Sequence, residues 1–210
     1  MPSQELGDSL IETISKSGGK DIAVDAGEIT LDAFLDGGLI EDVPFIGTLM
    51  KLKNIGVGVR EYLFTKKLLK FLNRINEVSR DDINKFIEKM EDDPDKKKKI
   101  GETLLLLIER MDEVEKSELL GNAFRSYLCR KINYEEFFRM GRAIDRCMVA
   151  DLKFVHNYER ATDAFPDAAF DLSSCGLIEM VGMPTIRTES SRNQYKITDY
   201  GELFINCVLR

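Results

Sequence analysis

The residues that could carry catalysis are few and scattered. His156 is the only histidine among 210 residues, and no Gly-x-Ser-x-Gly turn presents a serine to it. A zinc site needs further Cys or His residues at ligand spacing, and His156 has none nearby. There is no Walker loop and no Gly-x-Gly-x-x-Gly turn, since Gly56 and Gly58 stand alone. The sequence therefore predicts a protein that is not an enzyme and needs no metal or cofactor.

Thiols and hydropathy indicate the compartment. Four cysteines are spread widely along the chain: Cys129, Cys147, Cys175 and Cys207. Three of them lie among apolar neighbours, which is typical of reduced, buried thiols rather than of a disulfide framework. The start, MPSQELGDSL, lacks the apolar run of a secretory signal, and no run approaches the ~20 apolar residues that cross a bilayer. These patterns predict a cytoplasmic protein, with peripheral contact at the inner membrane as an alternative.

The strongest electrostatic feature is a basic, apolar stretch that follows an acidic one. Residues 1–49 carry ten acidic side chains and two lysines, whereas residues 50–75 carry seven Lys or Arg and one Glu. At about 100° per residue, Phe64, Leu68, Phe71, Leu72 and Ile75 fill one side of a helix. Five cations fall within an arc of roughly 120° on the other side: Arg60, Lys66, Lys67, Lys70 and Arg74.

Two interpretations of this amphipathic helix remain open. Its basic face could bind an acidic partner protein or an anionic membrane surface. Alternatively, it is an ordinary core helix with a solvated basic face, which the acidic N-terminal segment 1–42 could cover. The net charge of −7 disfavours nucleic-acid binding by the whole molecule. A protein partner is therefore expected, and a homo-oligomer is left open.

Helical periodicity organises the middle of the chain. Ser79, followed by two acidic residues, predicts a helix start, and Pro94 predicts the end of that helix. The run Leu104–Ile108 is predicted to lie in the centre of the core, because it is too continuous for a surface helix. Asn133 and Glu136 form a capping box.

The helix that begins at this capping box is predicted to be long. It should run to about Glu159, with an apolar stripe that includes Ile144 and Met148. Together with the preceding helices it predicts a helical core over residues 43–160.

The last fifty residues change character. Pro166 predicts a short helix, Gly176 fits the position after that helix, and Leu177–Val181 and Tyr195–Ile197 read as strands. Helix, strand, long turn and strand is the order at the end of a winged-helix domain. The fold class is therefore predicted as mainly α, a helical bundle with a winged-helix-like C-terminal module at 161–210 that contains one small β-hairpin.

Two phrases in this module carry a family resemblance. LSSCGLIEM and YKITDYGELF contain Leu-x-x-x-Gly-Leu-Ile and Tyr-x-x-Thr-x-x-Gly-x-x-Phe. They resemble the C-terminal part of bacterial proteins grouped as abortive-infection alpha, and similar endings occur in many winged-helix regulators. The stretch VPFIGTLMKLKNIGVGVREYLFTKKLLKFL is similar to a segment common among uncharacterised bacterial proteins. The resemblance implies a helical bacterial protein linked to phage defence.

Two functions follow as competing expectations. The first is a non-enzymatic interaction protein of a defence system that contacts a partner protein or a membrane surface. The second is a winged-helix DNA-binding regulator with wing contacts at Arg187, Arg192 and Lys196. Residues 161–186 contain no Lys or Arg, and the would-be recognition helix carries Asp163, Asp167 and Asp171, which would face phosphates unfavourably. The first function is therefore preferred.

Overall fold

The chain is mainly helical in two compact units. The computed structural model describes residues 2–16, 45, 59–158, 162–163, 166–182 and 193–210. The contacts divide the chain into Met1–Ile132 and Asn133–Arg210, which we call unit 1 and unit 2. The sequence-based boundaries lay after residues 42 and 160 instead. The predicted fold class, mainly α with a small antiparallel hairpin near the C-terminus, is confirmed.

Unit 1 is built from helices, two of which begin at side-chain caps. The described helices are α1 (Pro2–Lys16), α2 (Val59–Ile75), α3 (Arg80–Glu91), α4 (Pro94–Arg110) and α5 (Val114–Leu128). Ser79 caps α3, because its side chain accepts a hydrogen bond from the Asp82 amide. Asp93 caps α4 in the same way, and Pro94 occupies its first turn. The predicted break at Pro94 is confirmed, and the four lysines that follow it lie in the first turns of α4.

The core of unit 1 joins α2 to α5 and α1 to α4. Phe71 of α2 lies 5.6 Å from Phe124 of α5, and Phe86 of α3 meets the Phe124 ring edge-on at 5.8 Å. The apolar side predicted for α2 is buried, because Leu68 and Leu72 have no exposed surface. Burial of such side chains is the main term that stabilises the unit, at ~1.5–3 kcal/mol each.

Unit 2 combines short helices with a small sheet. Its elements are α6 (Tyr134–Arg146), α7 (Val149–Phe154), a 3₁₀ turn (Val155–Tyr158), β1 (Thr162–Asp163), α8 (Pro166–Ser174), β2 (Ile178–Gly182), β3 (Gln194–Ile197) and α9 (Asp199–Phe204), which continues as a π-helical turn over Ile205–Leu209. The predicted capping box is confirmed, since Asn133 and Glu136 exchange hydrogen bonds with each other's backbone amides.

The single long helix predicted from this capping box is wrong. Cys147 and Met148 both adopt extended backbone angles, so α6 ends at Arg146 and α7 begins at Val149. As a result Cys147 is buried and Met148, predicted on the apolar stripe, is 62% exposed. Neither residue is a helix breaker, and so the local sequence gave no signal for the interruption.

The sheet of unit 2 has the order β1-β3-β2 and is antiparallel. The predicted hairpin is its β2–β3 pair, in which Ile178 faces Ile197 and Glu179 faces Lys196. A bulge lies between Met180 and Gly182. The short strand β1, which pairs with β3, was not predicted.

Candidate functional site

An apolar groove opens on unit 1 between α1, α2 and α4. Its volume is about 800 Å³. The apolar lining residues are Leu6, Phe45, Val59, Leu63, Phe64, Leu105 and Leu106. Phe45 is fully buried there, with its ring 6.2 Å from Phe64 and its amide donating to Thr13 Oγ1. Cavities of this size with apolar walls are typical of binding sites.

Large apolar side chains of the groove face solvent. Val59 is 63% exposed, Leu63 43% and Leu106 59%. Such side chains, gathered around one concavity rather than scattered, distinguish an interaction site from ordinary surface. The groove is therefore the candidate functional site of unit 1.

The position of Leu106 corrects the expectation that the whole run Leu104–Ile108 is central core. Leu104, Leu107 and Ile108 are buried, but Leu105 is half-buried and Leu106 is exposed. Five consecutive helical residues sweep more than a full turn, so they cannot all face one core. Counting from Ile100 at 3,4-spacing would have found this, since Ile100, Leu104, Leu107 and Ile108 form a stripe that leaves Leu106 outside.

Charged side chains surround the groove. Arg60 Nη2 lies 2.8 Å from Glu109 Oε1, and Lys67 Nζ donates to the carbonyl oxygens of Glu109 at 3.0 Å and Met111 at 2.8 Å. Burial lowers the pKa of Lys67, partly opposed by the nearby charges of Glu109 and Asp112. Because the last carbonyl groups of a helix have no partner within it, the Lys67 ammonium acts as a cap for the end of α4.

The rest of the predicted basic face is also engaged by its own unit. Glu118 of α5 accepts from Arg74 and lies 3.5 Å from Lys70 Nζ, and Glu77 accepts from Arg74 at 2.7 Å. Lys66 Nζ lies 5.6 Å from the centre of the Tyr62 ring.

Pairing with the cations of α2 changes the pKa of the Glu118 carboxyl group. Burial alone would raise the pKa of its carboxyl group, but the hydrogen bond and positive charge of Arg74, with Lys70, lower it overall. The negative charge of Glu118 is therefore held beside two cations of the basic face.

Four of the five cations on the predicted face thus contact carboxylates or carbonyl oxygens of unit 1. The sequence offered segment 1–42 as the cover for this face, and residues 17–44 lie outside the described part of the chain. Binding of an acidic partner by this face stays a prediction. What the sequence did not indicate is that an apolar groove runs beside these cations.

The predicted wing residues are only partly described. Lys196 on β3 lies 3.3 Å from Glu179 on β2, with both side chains about half exposed. Arg187 and Arg192 lie outside the described residues. On α8, the would-be recognition helix, Phe170 is 72% exposed and Asp171 is half-buried. Among the described side chains of this helix, those that reach solvent are thus aromatic, acidic or hydroxyl-bearing, and none is basic.

The residues that carry the family resemblance have structural roles. Gly176 adopts a left-handed φ of 76° after α8, with the Gly176 amide bonded to Ser173 O and the Leu177 amide to Leu172 O. The Thr198 side chain caps α9 by accepting from the Gly201 amide, and it also donates to Gly176 O at 2.7 Å. The residues of these phrases therefore form the hydrogen-bonded joint between α8, β2 and α9, whatever the module binds.

Among the described residues, no group of three or more His, Cys, Asp or Glu side chains could hold a metal ion. Within the same stretches, no helix is long and apolar enough to cross a membrane. No protein-family model, curated protein or solved structure matches this chain.

Proposed function

We propose that this chain is a non-enzymatic interaction protein that binds an amphipathic helix of a partner protein in the apolar groove of unit 1. The observation that carries the proposal is the exposure of Val59, Leu63 and Leu106 around one cavity. Burying a leucine side chain on binding contributes ~1.5–3 kcal/mol, so these side chains could anchor a helix.

The dimensions of the groove suit a short helix. Its walls are Val59–Lys67 of α2 and Glu102–Glu109 of α4. At 1.5 Å per residue each wall is roughly 10–12 Å long, which matches two turns of a partner helix. Such a helix would present side chains at i, i+3 or i+4, and i+7 to the groove.

The charges favour a peptide over an anionic lipid as the occupant. The groove is flanked by Arg60 and Lys67 but also by Glu61, Glu102 and Glu109. Both cations already contact Glu109 or its carbonyl oxygen. Three carboxylates would repel lipid phosphates, whereas a partner helix can offer both signs of charge.

The biological setting comes from the resemblance of the C-terminal phrases to abortive-infection alpha proteins. It supports a role in bacterial phage defence, in which the groove recognises a partner protein. The alternative function, a DNA-binding regulator, rests on the winged-helix-like order of unit 2. The exposed Phe170 and the lack of Lys or Arg in residues 161–186 weigh against it.

The binding test uses peptides selected on the full-length protein from a displayed library of random amphipathic helices. Selected peptides, measured by fluorescence anisotropy, should lose tenfold or more in affinity with Leu63→Asp or Leu106→Asp. Met180→Asp on β2 is the matched control, because Met180 is as exposed as Leu63 but lies in unit 2. Peptides indifferent to both groove variants, or stronger binding to anionic vesicles than to any peptide, would reject the groove as a helix site.

The defence role is tested separately. Bacteria that express the protein should resist at least one phage in a plating assay, and Leu106→Asp should remove that resistance while Met180→Asp retains it. Resistance that survives Leu106→Asp at equal protein level would separate defence from the groove. Absence of resistance across a broad phage panel would leave the peptide result standing and contradict the defence role.

A further inference from the structure

Two cysteines that are 28 residues apart in the chain meet in unit 2. Cys147 Sγ and Cys175 Sγ are 3.6 Å apart. Cys147 follows the last residue of α6, and Cys175 follows the last residue of α8. Both backbones are fixed by hydrogen bonds, from the Cys147 amide to Ala143 O and from the Cys175 amide to Asp171 O. A disulfide bond is about 2.05 Å long, so the two sulfur atoms would approach each other by roughly 1.5 Å to form one.

The two thiols have unequal environments. Cys147 is fully buried, whereas Cys175 is partly exposed to solvent. The hydrogen bond from Cys147 lowers the pKa of Cys175 to about 6, helped by Ser174 and the positive charge of Arg146 and opposed by burial and Asp171. The same contact, with burial, raises the pKa of Cys147. Cys175 is thus the thiol that solvent reaches, and Cys147 is the buried thiol in contact with it.

We propose that Cys147 and Cys175 form a reversible oxidation site that reacts with hydroperoxides and closes to an intrachain disulfide. Cys175 is the reactive thiol, because it is the one that a small oxidant can reach. Cys147 is the resolving thiol, because it is already in contact with the first sulfur and is shielded from solvent. The inference does not depend on the groove of unit 1.

The reaction balances with hydrogen peroxide as the oxidant. The Cys175 thiolate attacks one peroxide oxygen, the O–O bond breaks, and hydroxide leaves with a proton as water, giving a sulfenic acid. Oxidation removes the negative charge of Cys175. That charge had raised the pKa of Cys147 and kept it protonated. Cys147 then loses that proton and attacks the Cys175 sulfur, and the S–O bond breaks to release a second water. Two thiols lose two electrons and one peroxide gains them.

The disulfide would join the ends of α6 and α8 and close a loop that contains α7, β1 and α8. Such a bond restricts the unfolded chain, so the oxidised protein should melt at a higher temperature. In a reducing cytoplasm the pair is expected to be reduced, as the sequence predicts. A disulfide formed by peroxide would be reduced again to two thiols by thiol–disulfide exchange.

The test exposes full-length reduced protein to hydrogen peroxide and follows each cysteine by mass spectrometry of its peptides. The expected product is one Cys147–Cys175 disulfide, with loss of two hydrogen atoms per chain. Cys129 is an internal control, since it is also partly exposed but burial raises its pKa. Cys175 should react roughly tenfold faster than Cys129 at neutral pH.

Two variants identify the roles. Cys147→Ala should leave Cys175 as a sulfenic acid that dimedone traps, and should abolish the melting-temperature rise on oxidation. Cys175→Ser should leave Cys147 unoxidised. The proposal is overturned if wild-type Cys175 reacts no faster than Cys129, or if its product is a sulfinic acid rather than the disulfide. The comparison within the wild-type chain holds even where a variant fails to fold.

Discussion

Helix α2 of unit 1 and helix α8 of unit 2 both look functional in the sequence, and both present a different surface from the one expected. The cations of α2 are largely held by carboxylates of unit 1, while Val59 and Leu63 face solvent. Helix α8 has the position of a recognition helix, yet it exposes the aromatic side chain of Phe170. The comparison teaches that charge pattern alone does not identify a binding surface. Charged side chains can be paired with opposite charges inside the fold, whereas exposed apolar side chains remain in contact with water.

The largest expected effect concerns Gly201 of α9, which packs against Leu177 and Ile197. A Cβ at Gly201 would overlap the Leu177 carbonyl oxygen and lie 2.6 Å from Ile197 Cγ1. Gly201→Ala should therefore destabilise the protein by about 3 kcal/mol or more in urea unfolding followed by circular dichroism. Gly182→Ala is the control, because its Cβ would have ordinary contacts. If Gly201→Ala costs no more than the control, α9 does not pack closely against Leu177 and Ile197.

The second prediction compares two neighbouring leucines of α4. Leu107→Ala should cost about 2–5 kcal/mol, because Leu107 is buried and truncation leaves a cavity. Leu106→Ala should change the unfolding free energy by less than about 0.5 kcal/mol, since its side chain already meets solvent. Both changes have the same helix propensity term, so the difference reports burial alone. Equal costs for the two variants would mean that Leu106 is buried in solution, and therefore that the groove is filled.

The third prediction releases the cations of α2. Glu118→Gln should lower stability by about 1 kcal/mol at neutral pH, because it removes the charge that meets Lys70 and Arg74. It should also increase salt-sensitive binding to phosphatidylglycerol vesicles if the basic face is functional. Glu115→Gln, on an exposed position of the same helix, is the control. Vesicle binding that stays at the control level would leave the basic face as a structural feature.

The same residue gives a pH dependence. The pKa of Glu118 is lower in the folded protein than its usual value. Its contribution to stability is therefore present above the unfolded-state pKa of about 4.3 and is lost as the pH falls through the lower folded pKa. Wild type and Glu118→Gln should differ in unfolding free energy at pH 7 and converge in acid. A difference that persists below both pKa values would assign the effect to packing.

The smallest expected effect concerns DNA. Random duplex DNA at physiological salt should bind more weakly than about 1 μM, because no described side chain of α8 is basic and residues 161–186 contain no Lys or Arg. Lys196→Glu should change this little, since Lys196 already lies beside Glu179. A nanomolar, sequence-specific complex would show that unit 2 binds DNA despite the absence of basic side chains on α8. Arg187, Arg192 and Lys196 would then be the first contacts to mutate.

The sequence predicted what depends on neighbours along the chain. The caps at Ser79 and Asn133, the position of Gly176 after α8 and the β2–β3 hairpin follow from local hydrogen bonding and backbone preference. The buried side of α2 follows from the helical period. The caps and the turn at Gly176 depend on residues at most about five apart, and the hairpin and the helical period are patterns that repeat along one segment of the chain.

What the sequence could not give depends on residues brought together by folding. Glu109 lies 49 residues from Arg60, and Glu118 lies 44 residues from Arg74. No periodicity along α2 could have found these acids. The interruption at Cys147 and the contact of its sulfur with Cys175 are also invisible in the local sequence, because no breaker residue marks where α6 ends and the two cysteines are 28 residues apart.

The Thr198 joint also fixes the order in which a growing chain can fold. During synthesis, α6, α7 and α8 emerge before Thr198 and before β3, the strand that pairs with β1 and β2. At about 5–20 residues per second the ribosome needs roughly 2–7 s to extend from Pro166 to Gly201. Unit 1 precedes this interval entirely. We therefore expect nascent chains stalled before Gln194 to resist limited proteolysis in unit 1 but to be cleaved in unit 2. Equal protection of both units would show that α8 does not need the hydrogen bond from Thr198 to Gly176 O.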